Sequence, residues 1–135
     1  MSSILIIEDH VLFAQAIQRL LTRQIDLEIV DIVRSGEEAL KKLPGLNVDL
    51  ALVDISLPNM SGIDLVQQIH AEFPHLHCLM FSGHLTPKYV KRALEAGAYG
   101  YVLKDDVNGI LEGIRRVLDG EIYLSAALRK YEYGT

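Results

Sequence analysis

The stretch LALVDISLP, residues 50 to 58, decides the fold. Leu50, Ala51, Leu52 and Val53 make a short apolar run with no polar alternation, and Asp54 stands at its end, ahead of Ile55, Ser56, Leu57 and Pro58. A run of this kind reads as a strand covered on both faces, as in a parallel sheet. A carboxylate held at the end of such a strand without a partner is costly, so its presence needs a reason.

The same unit recurs on either side. Ile4 to Ile7 is an apolar run followed by Phe13, Ile17, Leu20 and Leu21 at helical spacing. Leu27 to Val33 is rich in β-branched residues, and Ser35-Gly36 opens a helix through Ala39, Leu40 and Leu43 that Pro44-Gly45 ends. After Asp54, Ser61 caps a helix carrying Leu65, Val66, Ile69 and Phe73, stopped by Pro74. His77 to Phe81 is a fourth strand; Thr86-Pro87 starts the next helix and Gly97 closes it. Tyr101 to Leu103 is a fifth strand, before a last amphipathic helix marked by Ile110, Leu111, Ile114, Val117 and Leu118 and closed near Gly120. Five strand–helix units imply an α/β fold of the flavodoxin-like, doubly wound (βα)5 type. Its five-stranded parallel sheet runs in the order 2-1-3-4-5 with helices on both faces.

Bulk properties agree with one domain. The chain has 135 residues, of which 50% are hydrophobic and 23% charged, enough to bury about 70% of its unfolded surface. No apolar run reaches membrane-spanning length. The N-terminus, MSSILIIEDH, has no basic n-region and is not read as a signal peptide. A single cysteine, Cys78, excludes an internal disulfide and fits the cytoplasm, and its apolar neighbours mark it as a buried, inert thiol. The net charge of −5 makes direct nucleic-acid binding unexpected, since phosphate contacts need clustered Lys and Arg.

In a doubly wound sheet ligands sit at the carboxyl ends of the strands. Strand one ends in Glu8-Asp9, strand three in Asp54, strand four in Ser82-Gly83 and strand five in Lys104. Taken singly, each has an ordinary explanation: a solvated acidic loop, a turn, a surface ion pair of Lys104 with Asp105 or Asp106 worth ~0–1 kcal/mol. Taken together, three carboxylates, a hydroxyl and an ammonium on one edge favour function. Clustered carboxylates repel, and a hard divalent cation relieves them; Mg2+ suits carboxylates plus water and keeps positions for phosphate oxygens. A carboxylate nucleophile, a metal, a lysine and a hydroxyl are what phosphoryl transfer to an aspartate requires.

The segments IIEDH (6–10), LVDISLPNMSGIDLV (52–66), MFSGH (80–84) and EAGAYGYVLKD (95–105) resemble the response-regulator receiver domain (CheY-like) of two-component signalling over nearly the whole chain. The EDH, SLPNMSG and GYVLKD wording is most similar to the NarL/FixJ (LuxR-type) subfamily, whose members usually continue into a helix-turn-helix. The resemblance implies that Asp54 accepts a phosphoryl group from the phosphohistidine of a sensor histidine kinase. Asp9 binds Mg2+ (or Mn2+) directly, Glu8 holds it mostly through water, and Asp54 and the backbone carbonyl of Ser56 complete the metal ligands. Ser82 and Lys104 hold the phosphoryl oxygens. Tyr101 is the aromatic switch, turning inward as Ser82 moves and repacking the face of the fourth helix, fifth strand and fifth helix that controls output. Ser56 and His84 flank the path of hydrolytic water and set phosphoryl lifetime. The chain departs from many receivers in placing Asp105, rather than proline, after Lys104, which implies a trans bond there and a competitor for the lysine.

The implied organisation is a receiver domain over 3–120 and, over 121–135, the start of a linker or C-terminal tail without a DNA-binding domain. The chain is then a regulatory phosphoacceptor rather than an enzyme, acting in the cytoplasm on transcription. Its partner is the kinase, a homodimer is open to it, and direct contact with nucleic acid or membrane is not expected. Three other functions were weighed. A Mg2+-dependent aspartyl-phosphate phosphatase of the haloacid-dehalogenase pattern needs an aspartate where Ser56 stands. A flavodoxin-like binding module needs a phosphate-cradling loop where Glu8-Asp9 would repel phosphate. A receiver that has lost phosphorylation would not keep all of Glu8, Asp9, Asp54, Ser82 and Lys104.

Overall fold

A computed structural model of the chain describes residues 1–131 and Tyr133. The elements alternate as β1 (Ser2–Ile7), α1 (Val11–Thr22), β2 (Leu27–Val33), α2 (Gly36–Lys42), β3 (Leu50–Asp54), α3 (Gly62–Glu72), β4 (His77–Ser82), α4 (Pro87–Glu95), β5 (Gly100–Leu103), α5 (Val107–Leu118) and β6 (Tyr123–Leu124). The sheet is parallel throughout, in the order β2-β1-β3-β4-β5-β6. The 2-1-3-4-5 order stands, but the expected five strands are six.

The unbroken apolar runs follow from this topology. In β1, Leu5 and Ile7 face a core shared with α2, α3 and α4, while Ile4 and Ile6 face a second core shared with α1 and α5. β3 divides the same way, Ala51 and Val53 on one side, Leu50 and Leu52 on the other. Successive residues of a strand point to opposite faces, so a strand covered twice has no polar side to show. The helix starts use the residues expected of them. Ser35 Oγ accepts from the Glu38 N–H and Ser61 Oγ from the Asp64 N–H, each at 3.1 Å; Pro87 opens α4. Gly97 follows α4 at φ +109° with the His70 ring packed against it, a backbone state that favours glycine.

The sixth strand comes from the segment expected to be linker. β6 adds parallel to β5, with Tyr123 opposite Gly100 and Leu124 opposite Tyr101. Tyr123 N–H donates to the Tyr99 carbonyl (3.0 Å) and Ser125 N–H to the Tyr101 carbonyl (3.1 Å). Without these partners β5 would present an open edge of unpaired backbone groups. The chain then turns through a 3-10 turn, Ala126–Leu128, that places Leu128 fully buried in the core beside Tyr101. Of the segment 121–135, Glu132, Gly134 and Thr135 lie outside the described residues.

Candidate functional site

The carboxyl ends of β1, β3, β4 and β5 bring the expected residues together. Asp54 is the last residue of β3, 3% exposed, and Glu8, one past β1, is 1% exposed. Asp9 beside it is exposed. One ligand oxygen from each of Glu8, Asp9 and Asp54 lies within 4.8 Å of the others. Lys104, one residue past β5, reaches across to Glu8 Oε1 at 2.6 Å and Asp54 Oδ2 at 3.4 Å. The other oxygens take backbone donors: Ser56 N–H to Asp54 Oδ1 at 3.1 Å and His10 N–H to Glu8 Oε2 at 3.2 Å.

The electrostatics are unfavourable without a second cation. Burial, and then the crowding by Asp54, push the Glu8 carboxyl up from 4.5 to about 7; Lys104 and the His10 N–H offset part of this. One ammonium thus serves three carboxylates, two of them withdrawn from water. A donor set of oxygens alone, anionic and convergent, fits a hard divalent cation. Glu8, Asp9 and Asp54 are the groups that would hold it.

Local structure fixes the strand end that carries Asp54. The loop after β3 folds back so closely that a Cβ on Gly62 would collide with the Asp54 carbonyl, and Gly62 N–H donates to the Ile55 carbonyl at 3.0 Å. Glycine is required there by close approach, not by its φ. Pro58 opens the tight turn, its carbonyl accepting from Met60 N–H, with Asn59 at φ 68°.

Ser82, the last residue of β4, is fully buried, and its hydroxyl is engaged with its own loop. It accepts from His84 N–H (3.1 Å) and donates to the His84 carbonyl (3.3 Å). The His84 side chain is exposed. Tyr101, expected to turn inward on modification, is already fully buried. Its hydroxyl has no hydrogen-bond partner among the described residues. Burial raises its pKa, and the adjacent Ser82 hydroxyl eases this without reaching bonding geometry. Inward burial of Tyr101 therefore coexists with a Ser82 still turned to its own loop.

Other expectations resolve as follows. Asp105 makes no ion pair with Lys104 among the described residues; Asp106 instead caps α5, accepting from Gly109 N–H at 3.0 Å. The Lys104–Asp105 bond is trans. Cys78 is buried, and burial pushes its thiol up to about 12. Tyr99 is half-buried and stacked on His77 at 4.0 Å. The surroundings of Lys104 leave no mark in the spacing of its own segment. Its ammonium lies over the Phe13 and Phe81 rings, which stack on each other. The signal was Phe13, four residues after Asp9 and so on the first turn of α1 above this edge.

Comparison with known proteins agrees with the geometry. The response regulator receiver domain family matches residues 4–115. The transcriptional regulatory protein DegU of Brevibacillus brevis is 32% identical over 122 residues, covering 90% of this chain and 52% of DegU. The response regulator protein VraR of Staphylococcus aureus is 34% identical over 119 residues, covering 87% of this chain and 57% of VraR. The chain thus spans about half the length of these relatives. The crystal structure of a two-component response regulator of the LuxR family from Aurantimonas sp. SI85-9A1 superposes with a TM-score of 0.92 at 25% identity, covering 96% of this chain and 94% of that one. With the fold, the polar strand ends and these likenesses in agreement, the chain belongs to the response regulator receiver domain family, and its relatives are regulators of the LuxR/NarL type.

Proposed function

We propose that this receiver works as a phosphorylation switch with Asp54 as the phosphoacceptor. The observation that carries this reading is the bridge of Lys104 to both Glu8 and Asp54 inside a cluster of three carboxylates. An Asp54 oxygen attacks the phosphorus of a kinase phosphohistidine in line. The P–O bond forms as the P–N bond breaks, and the imidazole nitrogen leaves with the bonding pair. Glu8, Asp9, Asp54 and the Ser56 carbonyl would hold Mg2+, or Mn2+ on the same ligands, and the ion would supply charge neutralisation at the transferring oxygens. Lys104 gives up its bridge to pair with the phosphoryl group, and Asp54 stays anchored by the Ser56 N–H.

The new charge and acceptor oxygens then draw the Ser82 hydroxyl off the His84 backbone. That removes the neighbour of the buried Tyr101 hydroxyl and repacks the surface of α4, β5 and α5. β6 follows, because its backbone bonds run to Tyr99 and Tyr101. The side chains of Ser56 and His84 set how long the acyl phosphate survives, by shielding or positioning water.

In this reading 3–120 carries the switch itself, and β6 and Leu128 from the following segment pack onto its sheet and core. DegU is a transcriptional regulatory protein. By analogy the output here is transcription through a C-terminal helix-turn-helix, in the cytoplasm, with a sensor histidine kinase as partner and a homodimer as a further assembly. This chain itself contacts neither nucleic acid nor membrane in this reading; no helix among the described residues is long and apolar enough to cross a bilayer. The chain is regulatory rather than an enzyme acting on other substrates. The alternative, an aspartyl-phosphate phosphatase, is not favoured, since Ser56 stands where that chemistry needs a second acid.

The test is intact mass after incubation with a small phosphodonor and Mg2+. The chain gains one phosphoryl group and Asp54→Asn gains none. No gain in the parent, or an equal gain in the variant, overturns the reading, and rapid multiple turnover of phosphate esters would favour the phosphatase.

A further inference from the structure

Lys104 has a flexible four-carbon stem, so something must hold its ammonium in place. Two of its partners are carboxylates, and they belong to the same residues a divalent cation would claim. Metal binding therefore weakens the hold on Lys104 at the stage when a phosphoryl oxygen has to find it. Its other two partners cannot be taken by a metal. Phe13 on α1 and Phe81 on β4 stack with centroids 5.4 Å apart and planes at 26°. Lys104 Nζ lies 4.6 Å from the centre of the first ring and 5.2 Å from that of the second. Both distances are inside the reach of about 6 Å over which a ring face attracts a cation. Phe81 is fully buried and only 21% of the Lys104 side chain is exposed, so water screens this attraction little.

We propose that Phe13 and Phe81 are positioning residues for Lys104: their stacked rings keep the ammonium at the phosphoryl site when its carboxylate partners turn to a metal ion. This rests on the phosphoacceptor reading above. The rings carry no ligand atom for a metal and no group that takes part in the transfer; their role is through the lysine. Phe13 also ties α1 to Lys104 and through it to the strand-end cluster.

The test uses the full chain, its Phe13→Leu and Phe13→Tyr variants, acetyl phosphate and Mg2+. In the Mg2+-loaded parent, the NMR resonances of the Lys104 ε-methylene, assigned by comparison with Lys104→Arg, lie upfield through the ring current. Phe13→Leu moves them back and slows phosphorylation about 5-fold, the size of one lost ring–cation contact. Its Mg2+ affinity by calorimetry stays within about 2-fold of the parent, because a phenyl ring offers the metal no ligand atom. Phe13→Tyr, which keeps the ring face, restores both readouts. Phe81→Leu carries the same expectation should Phe13→Leu fail to fold. An unshifted Lys104 signal in the parent, a Phe13→Leu rate equal to the parent's, or a Phe13→Tyr variant as slow as Phe13→Leu overturns the positioning role. A parent that takes no phosphoryl group overturns the phosphoacceptor reading instead, and the Lys104 resonance still decides where its ammonium is held.

Discussion

Two flanks of one sheet solve opposite problems. At the carboxyl edge, Glu8 and Asp54 are withdrawn from water beside exposed Asp9, with one lysine between them. At the β5–β6 flank, Ser125 is equally withdrawn, but its hydroxyl accepts from the Leu103 N–H at 3.0 Å and its own N–H reaches Tyr101. One flank stores uncompensated charge; at the other, the polar groups of Ser125 are met by the backbone of β5. Burial alone therefore does not separate a structural polar residue from a functional one. What separates them is whether the partners inside the fold are enough.

That contrast predicts opposite responses to substitution. The largest effect belongs to Leu128, fully buried beneath the tail. Leu128→Ala costs ~2–5 kcal/mol in urea unfolding, because its core contacts are replaced by a cavity, while Mg2+ affinity is unchanged. A loss of Mg2+ affinity there would show that the two flanks are not separable. Next, Ser125→Ala leaves the Leu103 N–H buried without its acceptor and costs ~1–3 kcal/mol by the same measurement. A neutral result would mean that β6 does not close the edge of β5 in solution.

The smallest effect has the other sign. Glu8→Gln stabilises the metal-free protein by about 1 kcal/mol, since it removes a buried charge crowded by Asp54; the gain is limited because Lys104 loses its nearest carboxylate. The pH dependence follows from the direction of the shift. With its pKa raised on folding, Glu8 binds more protons in the native state. Its contribution to stability in the metal-free protein is present below pH 4.5 and is lost as pH rises through about 7. Unfolding midpoints across that window fall less steeply for Glu8→Gln than for the parent. A parallel fall in the two would remove Glu8 as the source of the strain. Mg2+ titration shows the reverse order, the parent binding more tightly than Glu8→Gln.

The same contrast explains what could be read from residues alone. The carboxyl edge was legible because each of its members ends an apolar run long enough to mark a buried strand: Glu8 after Ile4 to Ile7, Asp54 after Leu50 to Val53, Ser82 after His77 to Phe81. The runs set the topology, and the topology gathers their ends. β6 was not legible because Tyr123 and Leu124 are too few to carry a period; they are a strand only because β5 has an open edge to offer. The aromatic stack under Lys104 was hidden for a related reason. Phe13 and Phe81 carry helical and strand core patterns of their own, and only the folded sheet puts them 5.4 Å apart. Tyr101 is fully buried in the core that Leu128, from this short tail, also enters.

The central claim is that the charge stored at the carboxyl edge serves one acceptor, Asp54. Borohydride reduction of the phosphorylated chain tests it at residue level, because an acyl phosphate is reduced to an alcohol and an ordinary carboxylate is not. Peptide mass mapping should find homoserine at position 54, with Glu8 and Asp9 intact. Reduction at Glu8 or Asp9, or none at Asp54 in a chain that has gained a phosphoryl group, would contradict the account.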